Sequence, residues 1–376
     1  MATSKASRKI NLAIIGAGGI SQAVHLPGFK LCKDVRVAAL CDESESLARR
    51  VAEPFGVPAV YSDYQRMLES EPLDAVVVAT PNYLHYPMVM AAAQRKLHVL
   101  CEKPLALDAT QARRMRDAVK RARLVNMIAY NYRYVPAIRF LKQLIDDGTL
   151  GRVYHFRAFY LQLWGGDGAS WRTRRKLTGS GQLGDVGSHL IDYARHLIGE
   201  FDSVCGLTRT WLPKRRDPNT NRWEKTDVDD AASFMAEFKN GAAGVFEVTR
   251  FAPGRGCGLN EHQSIEINAE GGTVVYDYQK PDELQLCLTQ KDMAAARFVR
   301  TSVPAAVRQF YGPAIWKAFR QCPPLGFRLK QARDFIDAIR HRRSVTPNFD
   351  DALRAQQVID AILQADRSRR WVKVPR

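Results

Sequence analysis

No apolar run in these 376 residues approaches the roughly 18 needed to cross a bilayer, so a membrane protein is not expected. Cysteine is thin: seven thiols, an odd number scattered without paired spacing, read as reduced residues of a cytosolic protein. There is no CxxC pair and no Cys/His cluster to hold structural zinc. The opening MATSKASRKI lacks the apolar core of a secretory leader, so none is expected. Acid is the scarce charge, with 39 Asp and Glu against 56 Lys and Arg, a net charge of +17. The excess gathers in Arg113–Arg123, Arg172–Lys176, Lys214–Arg216 and Arg367–Arg376. A positive field attracts anions of any kind. No nucleic-acid motif accompanies these runs, which read mainly as solvated faces, so neither nucleic acid nor membrane is an expected partner.

What is present is a globular composition, 46% hydrophobic with six Trp and sixteen Phe, on a chain long enough for two domains. The strand-like run Ile10–Ile15 leads directly into Gly16-Ala17-Gly18-Gly19-Ile20-Ser21, then a helix-length segment, then a second strand over Val35–Cys41. That is a βαβ unit with G-x-G at its first turn. Gly16 permits the tight turn, Gly18 lets the backbone approach a pyrophosphate, and the free amides from Gly19 and Ile20 onward favour the phosphate charge. Ser21 replaces the usual third glycine. Asp42, ending the second strand, can accept both hydroxyls of an adenosine ribose and repels a 2′-phosphate. NAD is therefore the expected cofactor. NADP is the alternative, because Ser44, Arg49 and Arg50 follow closely.

Alternation continues with strands at Val57–Tyr61 (an edge strand, given Pro58), Asp74–Ala79, Leu97–Cys101 and Leu124–Ala129, and helices at Leu84–Ala93 and Ala109–Arg121. Six strands make a parallel Rossmann sheet over residues 1–130. Thr80-Pro81-Asn82 and, one turn on, His85 follow the fourth strand, where side chains line a nucleotide crevice; Asn82 can equally cap the next helix. Glu102-Lys103-Pro104 ends the fifth strand, and a lysine at that end of a buried strand invites a functional role. A solvated loop lysine is the bland alternative.

After Tyr130 the pattern changes. A helix over Tyr134–Asp147 precedes extended runs at Val153–Leu163, Ser203–Trp211, Ala232–Lys239, Gly244–Phe251, Ser264–Ala269, Thr273–Tyr278 and Glu283–Leu288, with Asn240-Gly241 as a hairpin turn. Strands without helical crossovers predict a large open, mainly antiparallel sheet in an α+β domain over 131–376, closed by helices at Arg328–His341 and Phe349–Arg367. Pro213–Asp227 reads as an exposed loop. In the Gly-rich block before Asp192, Asp185 and His189 stand four apart at a helix start and project from one face. Histidine carries protons near neutral pH, and a nearby carboxylate fixes its tautomer. Asp185 could instead merely cap the helix, with His189 structural. A metal shared with His196 lacks a third close ligand, so no metal is expected.

On these residues the chain resembles the glucose–fructose oxidoreductase/inositol dehydrogenase/rhizopine-catabolism (Gfo/Idh/MocA) family. The likeness rests on Gly16-Ala17-Gly18, Thr80-Pro81-Asn82, Glu102-Lys103-Pro104, Tyr130-Asn131-Tyr132-Arg133 and Asp185-x-Gly-x-His189-x-x-Asp192. It implies a cytoplasmic two-domain NAD(P)-dependent dehydrogenase acting on a secondary hydroxyl of a sugar or cyclitol, and a homodimer or homotetramer built on the second domain's sheet. It implies His189 as general base, Lys103 as the group steadying the reacting oxygen, and Asp185 as its neighbour. Asn131 and Arg133 would border cofactor or substrate, or serve core or surface. Trp171 and Arg172 would contact cofactor or substrate, while the dense cations Arg174, Arg175 and Lys176 suggest an anionic substrate as a variant. The alternative to an enzyme is a non-catalytic NAD(P)-sensing regulator with a basic partner-binding surface. Such a protein has no need of Lys103, Asp185 and His189 together.

Overall fold

The computed structural model describes residues 8–163, 168–256, 261–288 and 296–375. The N-terminal MATSKAS segment and Arg376 of the basic tail lie outside these. Two compact units emerge. The first uses the chain up to Ala106, Thr110–Ala129 and, from far downstream, Arg328–Ala352.

Its strands are β1 (Ile10–Ile15), β2 (Val35–Cys41), β3 (Ala59–Tyr61), β4 (Ala75–Val78), β5 (His98–Cys101) and β6 (Asn126–Ile128). They pair in parallel in the order β3-β2-β1-β4-β5-β6, the order of a doubly wound nucleotide fold. Pro58 stands beside the edge strand β3, where a missing N–H is tolerated. The central strands β1 and β4 are apolar apart from Asn11 because both sheet faces are covered. Leu26, Phe29, Phe335 and Ile336 sit together in that core, so part of the helix Pro323–His341 completes the first unit.

The second unit carries a nine-stranded sheet. Its strands are β7 (Val153–Leu161), β8 (Phe201–Arg209), β11 (Ala231–Phe238), β12 (Ala243–Thr249), β13 (His262–Ala269), β14 (Gly272–Asp277), β15 (Glu283–Leu288), β16 (Val299–Ser302) and β17 (Val372–Lys373). The order is β16-β15-β14-β13-β7-β12-β11-β8-β17, antiparallel except where β12 runs parallel to β7. Alternation decides the faces: Phe234, Phe246, Phe156 and Phe201 point to the core, while Met235 and Val245 point outward. Phe234 stacks on Phe246 with centroids 4.4 Å apart. Each buried ring contributes roughly 2–3 kcal/mol of transfer free energy.

The expected loop Pro213–Asp227 instead contains a hairpin, β9 (Lys214–Arg216) against β10 (Trp223–Lys225). The turn Asp217–Arg222 closes it: the Asp217 carboxylate accepts from the amides of Asn219 and Thr220. No helix among the described residues is long and apolar enough to cross a membrane.

Candidate active site

The first unit supplies a nucleotide cradle. Gly16 has φ +103, and a Cβ there would lie 2.3 Å from the Ala79 carbonyl, so only glycine lets the loop pass between β1 and β4. Ser21, in the third-glycine position, is buried and donates its hydroxyl to the Gly16 carbonyl at 2.5 Å. The helical segment Ser21–His25 follows, with the Gln22 amide donating back to the Gly18 carbonyl at 3.2 Å, so the positive end of the helix lies over the glycine loop. Gly18 and Gly19 are exposed, and a Cβ on either would meet nothing within 4 Å, leaving room for a pyrophosphate against bare backbone. Asp42 faces this loop: its carboxylate accepts from Ala17 N at 2.8 Å and Ser44 N at 3.0 Å. Glycine loop, helix start and acid together fit a dinucleotide.

Past β4, Thr80 and Pro81 lead into the helix Asn82–Gln94, so Asn82 is its first residue and Pro81 takes the capping position. His85 is fully buried, with Nδ1 2.9 Å from the Pro104 carbonyl and Nε2 2.9 Å from the Thr80 carbonyl. Burial pushes its imidazole below the usual histidine range, against the pull of those carbonyls. The ring thus ties the loop after β4 to the one after β5. Glu102 is buried with its Oε1 2.9 Å from His25 Nε2. Burial raises its carboxyl, but the hydrogen bond and charge of His25, with help from Lys103, outweigh this and hold it below the ordinary range. Lys103 is half-buried beside it, and its own amide donates to Glu102 Oε2 at 3.3 Å.

The second unit carries the candidate acid–base residues Asp185 and His189. Leu183–Gly187 is a π-helical turn running into the helix Ser188–Leu197, placing Asp185 and His189 about one turn apart. The turn is pinned from behind by Asp229, whose carboxylate accepts from Gly181 N and Leu183 N, both at 2.7 Å. Burial pushes the Asp229 carboxyl up despite those two amides. A Cβ on Gly181 would fall 1.8 Å from the Asp229 carbonyl. Close protein backbone thus requires that glycine.

His189 is 6% exposed, its ring 4.4 Å from that of Tyr132 and 6.0 Å from that of Tyr130. Arg133 binds Asp192, one turn further along the helix, through Nε at 2.8 Å and Nη2 at 2.6 Å. Arg133 is therefore a buried brace for the His189 helix, and Asn131 beside it is buried. Arg172, stacked over Trp171 at 4.2 Å, brings Nε to 4.0 Å from Asp185 Oδ2. The neighbouring cations have other duties: Arg174 pairs with Glu224, and Arg175 donates to the Asp227 carbonyl. Both fasten the segment to the β9–β10 hairpin and its exit, which weakens the anionic-substrate variant.

Sequence reasoning missed Tyr132 as a neighbour of His189, and it missed Asp229. Asp229 lies far along the chain from the turn it holds, and Tyr132 carried no signal beyond its place in a motif. Among the described residues no group of three His, Cys, Asp or Glu side chains is placed to hold a metal.

A model of an oxidoreductase family with an NAD-binding Rossmann fold matches residues 10–130, and a GFO/IDH/MocA C-terminal domain model matches residues 138–275. A levoglucosan dehydrogenase from Pseudarthrobacter phenanthrenivorans is 34% identical over 98% of this chain and 99% of its own. A D-glucoside 3-dehydrogenase from Escherichia coli is 33% identical over 64% of this chain and 70% of its own. The solved structure of a levoglucosan dehydrogenase in complex with NADH and levoglucosan superposes with a TM-score of 0.87 at 32% identity, covering 98% of this chain and all of the other. These likenesses place the chain in the Gfo/Idh/MocA family of oxidoreductases with an NAD-binding Rossmann domain.

Proposed function

We propose that the protein is an NAD-dependent dehydrogenase oxidising a secondary hydroxyl of a ring sugar, of the anhydrosugar or glycoside class. The observation that carries this reading is the presentation of Asp185 and His189 from one turn, backed by Asp229 and braced by Arg133. Similarity along 98% of the chain to a levoglucosan dehydrogenase supports the substrate class.

NAD, when bound, supplies the hydride acceptor. Gly16, Gly18, Gly19 and Ile20 would hold its pyrophosphate and Asp42 its ribose, with Thr80, Pro81 and Asn82 along the crevice. His189 takes the hydroxyl proton as the carbon loses hydride. The Lys103 ammonium donates a hydrogen bond to the same oxygen and stabilises its developing charge. Asp185 orients the imidazole or binds the adjacent hydroxyl, and Trp171 and Arg172 flank the sugar or cofactor. Residues 1–130 serve the nucleotide, with Arg328–Ala352 joining that unit where the sequence had placed them in the second domain, and the rest of 131–376 serves the sugar and a homo-oligomeric contact, in the cytoplasm.

A panel of inositols, aldoses, anhydrosugars, glucosides and uronates with NAD and NADP, read by absorbance of the reduced cofactor, tests the proposal. Turnover of an uncharged ring sugar with NAD is expected. A protein that binds NADH yet oxidises nothing in the panel overturns it.

A further inference from the structure

Behind His189 lies a buried polar cluster that the chemistry just outlined does not use. The Tyr132 ring, tilted 49° to the imidazole with centroids 4.4 Å apart, carries its hydroxyl to the carboxyl of Glu261, donating to Oε1 at 2.7 Å. Tyr160 donates to Oε2 at 2.6 Å, and the Gln162 and Gln263 amides donate at 3.1 and 3.3 Å. Every one of these groups offers a hydrogen to Glu261, the arrangement that satisfies an ionised carboxylate, which can only accept. Burial pushes the Tyr160 phenol well above its ordinary range, so it remains a donor.

Glu261 is 3% exposed, and no cation pairs with it among the described residues. A carboxylate buried without a cation is costly, and an apolar core would pack as well. The other charges near His189 come in opposing sets. Asp192 is matched by Arg133, and Asp185 faces Arg172 and the buried Arg250. Tyr130 and Tyr193 contribute phenol rings, and burial pushes the Tyr193 phenol well above its ordinary range. Glu261 is the charge left over.

We infer that Glu261 is a positioning residue for the base, acting through Tyr132 on His189. The inference rests on the reading of His189 as proton acceptor. When the imidazole takes the substrate proton, the cation faces an aromatic ring whose hydroxyl is bound to a carboxylate. The aromatic ring 4.4 Å away and the buried negative charge behind it both favour the imidazolium in a medium that screens poorly. Glu261 thereby raises the basicity of His189 and fixes the ring against which it sits.

The test is an NMR titration of the His189 ring, assigned with His189→Gln, in cofactor-free wild type, Glu261→Gln and Tyr132→Phe. Both substitutions keep the shape, and either alone tests the link should the other fail to fold. The midpoint of His189 is expected at lower pH in both variants. In turnover, the acid limb of kcat/KM moves to lower pH with it, and kcat falls about tenfold. Folded variants that titrate His189 at the wild-type midpoint overturn the inference, and a fall in Glu261→Gln alone overturns the route through Tyr132. The NMR arm needs neither cofactor nor sugar. A wild type that oxidises no sugar therefore overturns the dehydrogenase reading, whereas an unmoved midpoint overturns this one.

Discussion

Arg133 holds Asp192 in a two-pronged grip, Nε at 2.8 Å and Nη2 at 2.6 Å, with the two side chains 8% and 3% exposed. Three residues before that aspartate, on the same helix, is His189. Replacing Arg133 with Met leaves a buried carboxylate without its cation, which costs about 3–5 kcal/mol. Urea unfolding should show this loss, with Arg133→Lys intermediate because an ammonium cannot reproduce the fork. A loss below about 1 kcal/mol for Arg133→Met would contradict the bracing role.

The glycine loop separates two causes of failure. Gly16→Ala sets a Cβ 2.3 Å from the Ala79 carbonyl at φ +103, so its melting temperature should fall several degrees and NADH binding weaken with it. Gly18→Ala meets nothing within 4 Å and should melt like the wild type. Its NADH affinity, read by fluorescence titration, should nonetheless drop if pyrophosphate rests on that backbone. Unchanged affinity in Gly18→Ala would remove the loop from the cofactor site.

Lys103→Met tests the ammonium directly. Turnover is expected to fall by two orders of magnitude or more, about 3 kcal/mol of transition-state stabilisation, while NADH affinity stays within a few-fold. Turnover that survives intact would refute the role given to Lys103.

Glu102 makes stability depend on pH in a definite direction. Its folded carboxyl sits below the ordinary value of 4.5, since the His25 hydrogen bond outweighs burial. A depressed acid stabilises the fold fully above the ordinary value, and that contribution disappears as pH drops through the folded value. The urea midpoint of Glu102→Gln should therefore lie below wild type at pH 7, with the gap narrowing as pH falls beneath 4.5. A gap that stays constant down to pH 3 would mean Glu102 does not titrate with folding.

Much of the nucleotide half was readable because its signals are local. The limits of β1, β2 and the helix Ala109–Arg121 follow from apolar runs and periodicity, and Gly16 marks the turn that its own φ demands. Asp185 and His189 could be paired from spacing alone, since one helical turn joins them. Their surroundings could not. Lys214-Arg215-Arg216 looked like a solvated basic run, yet Arg215 is fully buried against Asp230, fifteen residues away. Arg174 looked open to a substrate, yet it pairs with Glu224, fifty residues on.

What the order of residues determined by itself is therefore most elements of the nucleotide half, the main strands of the second sheet and the identity of the chemical groups, because strand period, turn chemistry and one-turn spacing are short-range properties; the β9–β10 hairpin was not among them. The tertiary structure alone decided which charges are neutralised, which glycines face protein, and what stands behind the base. Glu261 meets Tyr132 across 129 residues, and only a folded sheet brings such distant groups within hydrogen-bonding reach.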